Sequence, residues 1–104
     1  MSKPRYKWWG YVKWVIRDYP AKCERFETLS GWSAREYAAV KVALCEAEQL
    51  PEGVLITRLV DLIFLRNTHT LQGAAMVLHI SERTAERWHG NFIRAVAHHL
   101  GFLD

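Results

Sequence analysis

Apolar side chains recur at spacings of three and four in every segment of this chain and scarcely alternate anywhere, so helices have to build its core. The spacing predicts an all-α fold, a small helical bundle of four or five helices joined by short links. A first helix is expected over 6–19, where Trp8, Val12, Val15 and Tyr19 make one stripe and Tyr11 and Ile16 widen it. Pro20 would end it, because proline lacks the amide and crowds the preceding turn. Trp9 and Trp14 fall off that stripe. The helix is therefore apolar around much of its surface, and residues 8–19 offer a docking or homodimer face.

Farther along, Ser33-Ala34-Arg35-Glu36 has the form of a capping box, in which the serine hydroxyl and the glutamate each meet a free amide. It would open a helix whose inward face is Tyr37, Val40, Leu44 and Ala47. Leu50 to Gly53 would be a connection, in which Pro51 suits a first helical position and Gly53 a break. A third helix is expected over 54–66. Leu55, Leu59, Leu62, Ile63 and Phe64 make it the most apolar, with Arg58, Asp61 and Arg66 on its wet side.

A chain of 104 residues, half of them apolar, suits one compact domain with a modest core. Within it, residues 1–66 read as an N-terminal helical part with a basic arm, and 67–104 as a separate motif. The net charge of +3 is unevenly placed: residues 1–22 hold six basic groups against Asp18 alone, whereas 23–66 sum to −2 and 67–104 to zero. Such an arm, with Lys3, Arg5, Lys7 and Lys13 as its contacts, fits nucleic acid or another acidic surface. No window of about 20 apolar residues suggests a membrane span. The first residues lack the pattern of a signal peptide, and Cys23 and Cys45 lack ligand spacing or scaffold density. A reduced, cytoplasmic protein is the expectation.

The most informative stretch is TLQGAAMVLHISERTAERWHGNFIRAV, residues 70–96. Thr70 would cap a helix of two turns carrying the small residues Ala74 and Ala75. His79-Ile80 would form a turn and Ser81 would cap a final helix, which Gly101 can end. Ala85, Trp88, Phe92 and Val96 line the underside of that helix. A helix-turn-helix needs these features: a small residue where the helices cross, and a second helix that buries one stripe while its first turns stay free for a DNA groove. Ser81, Glu82, Arg83, Thr84, Glu86 and Arg87 are the candidate DNA-binding residues. Arg83 and Arg87 suit base edges or phosphate, and Ser81, Thr84 and the free amides suit phosphate. Arg94 is a further contact to the backbone, with Arg66, His69 and His98 behind it. His79 stands where the commonest turn has glycine, so it has to adopt a positive φ.

This segment resembles the fourth region of bacterial sigma factors on the pattern Ile80, Ser81, Thr84, Arg87 and His89. More of the chain is similar to the ArpU and RinA type of late-gene transcription regulators from prophages. Those begin with a helix ending in Tyr-Pro, here Tyr19-Pro20, and close with an apolar helix and a sigma-like reader. The resemblance implies a phage or prophage protein regulating late or packaging genes through double-stranded DNA, with host RNA polymerase as a second partner. It places the reading residues on Arg83, Thr84 and Arg87.

The remaining chemistry is sparse. His98 and His99 point about 100° apart on a helix, a poor arrangement for joint ligation. The glycines are scattered, and no nucleophile has an evident base and orienting group. No metal, cofactor or catalytic residue is expected. A second reading stays open, an adaptor or DNA-packaging protein that docks a partner. The wide apolar surface of residues 8–19 and the neutral charge of 67–104 favour it.

Overall fold

Six α-helices and no strand make up residues 6–102, the part that the computed structural model describes. Lys3 and Arg5 lie outside the described residues. The first helix, α1 (Trp9–Arg17), buries Val12, Val15 and Ile16 completely, as the stripe predicts. Its partner α2 (Tyr19–Glu24) was not expected. Pro20 cannot supply an amide to continue α1, but within the first turn of a new helix that missing donor costs nothing. Proline here restarts a helix after one linking residue, Asp18.

A short 3₁₀ turn (Phe26–Thr28) leads to α3 (Gly31–Glu48), which starts two residues before the expected cap. Gly31 takes φ +57, a conformation glycine adopts without a Cβ penalty, and so lets the chain enter the helix there. Ser33 therefore lies inside α3 and caps nothing. Glu36, freed from the capping role, turns inward.

That change creates the most unusual part of the core. Lys22 on α2 is 1% exposed, and its ammonium lies 2.6 Å from Asp18 and 3.5 Å from Glu36. It also sits 4.8 Å from the centre of the Trp14 ring. The Tyr11 hydroxyl donates to the Glu36 carboxylate and accepts from the Trp32 indole N–H. Burial, and then the adjacent Glu36 carboxylate, push the Tyr11 hydroxyl up to about 12. A buried charge is tolerable when paired and hydrogen-bonded, and among the described residues no buried side-chain polar atom is left without a partner. One of the six cations counted in the basic arm is thus a core residue.

The link to α4 (Gly53–Val60) is tighter than expected. Pro51 and Glu52 form a turn, and Gly53 is the first helical residue. A Cβ at Gly53 would come within 2.5 Å of the Glu48 carbonyl oxygen, so glycine is required there by close backbone approach. α4 then widens into a π-helical turn, Asp61–Leu65, closed by the Arg66 amide on the Asp61 carbonyl at 2.7 Å. The extra residue in this turn buries the consecutive pair Ile63 and Phe64.

The last two helices, α5 (Leu71–Leu78) and α6 (Glu82–His99), complete one hydrophobic cluster drawn from α1, α3, α4, α5 and α6. α3 offers Ala39, Ala43 and Ala47 as a low surface against which α6 packs. His99 meets Glu46 at 2.7 Å and ties the end of α6 to α3. No helix among the described residues is long and apolar enough to cross a membrane.

Removing one member of a buried ion pair leaves the other charge uncompensated. Lys22→Met is expected to destabilise the fold by about 3 kcal/mol, measured by urea unfolding; a loss within about 0.5 kcal/mol, as for an ordinary surface lysine, would contradict the buried network.

Candidate nucleic-acid interface

The α5–α6 unit is built from local signals that act where the sequence puts them. The Thr70 hydroxyl accepts from the Gly73 amide at 3.0 Å and starts α5. His79 ends α5 in the left-handed region, with φ 56 and ψ 42. The Ile80 amide returns to the Ala75 carbonyl at 3.0 Å, which satisfies one of the carbonyls left open at a helix end. Ile80 packs against the core. The Ser81 hydroxyl then accepts from the Thr84 amide at 3.1 Å and donates to the Thr84 hydroxyl at 2.9 Å. Glu82 in the first turn suits the positive end of the helix.

Behind that opening turn, Ala85, Trp88, Phe92 and Val96 are all buried, and Ala74 and Ala75 are buried where α5 meets α6. Ser81, Glu82, Arg83 and Arg87 are exposed, and Thr84 and Glu86 are half-buried. Arg83 and Arg87 have no ion-pair partner among the described residues. The first two turns of α6 therefore present two guanidiniums without an ion-pair partner, alternating with the carboxylates of Glu82 and Glu86, on a helix packed along its reverse side.

The other candidates divide. Arg94 is exposed, but its guanidinium folds back over Gly90 and lies 5.7 Å from the Trp9 ring. Lys7 is exposed, and Lys13 is half-buried on α1 beside Arg17. Arg66 is held by Asp61 at 2.9 Å. His89 is half-buried and stacks on Phe64 with centroids 5.2 Å apart. Burial, and then the nearby charges of Lys13 and Arg17, push its imidazole down to about 4. Much of the face once offered by residues 8–19 is covered within the chain: Trp8 stacks between Tyr6 and Phe102, while Trp14 stays half exposed.

Sequence reasoning missed two features of this region. Arg87, Trp88 and Phe92 form one side of a groove of about 340 Å³, with Ala47, Leu50 and Glu52 among the residues of the other side. Arg17, with Lys13 one turn earlier on α1, lies over the Phe64 ring on which His89 stacks. Neither has a signal in the sequence beyond two cations spaced four apart. Among the described residues, no three His, Cys, Asp or Glu side chains gather where a metal ion could be held. Set against protein-family models, curated proteins and solved structures, the chain matches none.

Two outcomes test this geometry. His79→Gly should stabilise the protein by about 0.5–1 kcal/mol, since the left-handed penalty of an L-residue exceeds the entropic cost of glycine. Ser81→Ala should cost about 1 kcal/mol through the lost cap; both are read from chemical unfolding. The depressed His89 sets a pH dependence. Between its ordinary value of 6.5 and about 4, the unfolded chain binds the proton and the folded one does not. Stability should fall as pH is lowered through that window, and His89→Phe, which keeps a ring over Phe64, should flatten that part of the profile.

Proposed function

We propose that this protein binds double-stranded DNA through the first turns of α6 and regulates transcription. The α5–α6 unit then acts as a sigma region 4-like helix-turn-helix, with Ser81 and the opening amides on phosphate and Arg83 and Arg87 on base edges. The observation that carries this reading is that two exposed arginines, without ion-pair partners among the described residues, stand on the helix whose reverse side buries Trp88. A planar guanidinium matches the two acceptors of guanine in the major groove. A helix anchored along its reverse side can hold that fork in register. The likeness to ArpU and RinA type regulators supports a phage or prophage origin, action on late or packaging genes, and host RNA polymerase as a partner in the bacterial cytoplasm.

Electrostatics shape the expected behaviour. The segment 67–104 is formally neutral, and duplex affinity depends on the number of phosphates that cations neutralise. With Lys22 buried and paired, cations of α1 and the preceding arm have to supply that term. Binding should then be modest, with a salt dependence set by the number of those cations that reach phosphates.

A second reading draws on the groove beside Arg87. Its apolar floor of Ala47, Trp88 and Phe92, together with exposed Leu50, suits an apolar side chain of a protein partner. In that case the protein is an adaptor in phage assembly or DNA packaging.

Selection of bound fragments from a random duplex library separates the two. Enrichment of a defined site is expected, and Arg83→Ala or Arg87→Ala should each lower affinity for it by about 1–3 kcal/mol and relax its base preference. No enrichment by the intact protein, even at low salt, would favour the adaptor.

A further inference from the structure

Contacts along α1 show how it lies on α6. Trp9 meets Arg94, whereas Arg17, with Lys13 one turn before it, lies over the Phe64 ring on which His89 stacks, nearer the start of α6. The two helices thus run antiparallel, and the C-terminal half of α1 flanks the second turn of α6. The Arg17 guanidinium lies 5.9 Å from the centre of the Phe64 ring, the same ring on which His89 stacks. An ammonium, a guanidinium and an imidazole therefore gather beside the π turn.

No carboxylate pairs with them. Among the described residues neither Lys13 nor Arg17 has an ion-pair partner: Asp18 is held by Lys22 and Asp61 by Arg66, and Glu86, half-buried in the second turn of α6, makes no ion pair with either cation. Lys13 is half-buried, and loss of water followed by the charge of Arg17 holds its ammonium below the usual lysine range. Like charges brought together in a partly dry setting are unfavourable unless an anion offsets them. A guanidinium fork and a point-like ammonium are the pair that suits two free oxygens of one phosphate.

We infer that Lys13, Arg17 and His89 form an oxyanion seat that holds a backbone phosphodiester of the bound duplex. This rests on the DNA-binding reading of α6. A helix with its side chains is about 10–12 Å across and the major groove is about 12 Å wide, so groups packed on the flank of an inserted helix meet the phosphate wall. Lys13 and Arg17 occupy that flank. Neutral His89 adds one N–H donor.

The test compares salt dependence of binding to the selected duplex for wild type, Lys13→Ala, Arg17→Ala and the charge-keeping Lys13→Arg and Arg17→Lys. Each alanine variant should lower the steepness of log affinity against log salt by about 0.9 and lose about eightfold affinity near 0.1 M salt. Base preference should stay unchanged, and the charge-keeping variants should restore the slope. In parallel, NMR follows the His89 imidazole, whose titration should rise from about 4 when duplex is bound. Wild-type slopes in both alanine variants, with Arg83→Ala still losing the site, would remove the seat and leave the DNA reading standing. His89 responding to inorganic phosphate but not to duplex would make it a free-anion site and overturn the assignment. No retention of any duplex by wild type would remove both.

Discussion

The core of this molecule is arranged on α6. α1, α3, α4 and α5 each pack against it, and its buried stripe runs from Ala85 to Ala97. The helix has a free N-terminal turn only because burial begins at Ala85, after Ser81 has already closed the Thr84 amide. Polar and apolar residues along α6 thus divide one helix into an exposed opening and an embedded shaft. Moving either division by one residue would rotate Arg83 or Trp88 by about 100°. The proposed reading face exists because the core holds that rotation.

The Lys22 network secures the opposite end. An ammonium, two carboxylates, a phenol and an indole are mutually satisfied between α1, α2 and α3. Such groups are costly to bury and tolerate few alternative arrangements. They join the short α2, which has little apolar surface of its own, to the long α3. The same network withdraws a cation from the surface. Among the described residues of the first 22, the cations left for an acidic partner are Lys7, ahead of α1, and Lys13 and Arg17 on α1 beside α6.

The π turn links these two regions. By inserting one residue between α4 and the link to α5, it buries Phe64 against His89 while leaving Arg17 above the same ring. Irregular helical turns of this kind are found often where a site is shaped. Here the irregularity carries core packing to the flank of the proposed interface.

Local chemistry was legible from the residues alone. Helical periodicity, the caps at Thr70 and Ser81, the left-handed turn at His79 and the buried stripe of α6 depend on residues within a few positions of one another, and each appears where spacing puts it. Locality also misled where two local signals competed. The Ser33 box lost to Gly31, whose left-handed backbone starts α3 earlier, and Pro20 opened a helix because a first turn needs no amide from it. Tertiary structure alone decided that Lys22 is a core residue, that Glu36 serves it, and that Arg17 and His89 share the Phe64 ring. Those pairings join residues far apart in the chain. Their energies depend on desolvation and distance, which sequence spacing does not encode.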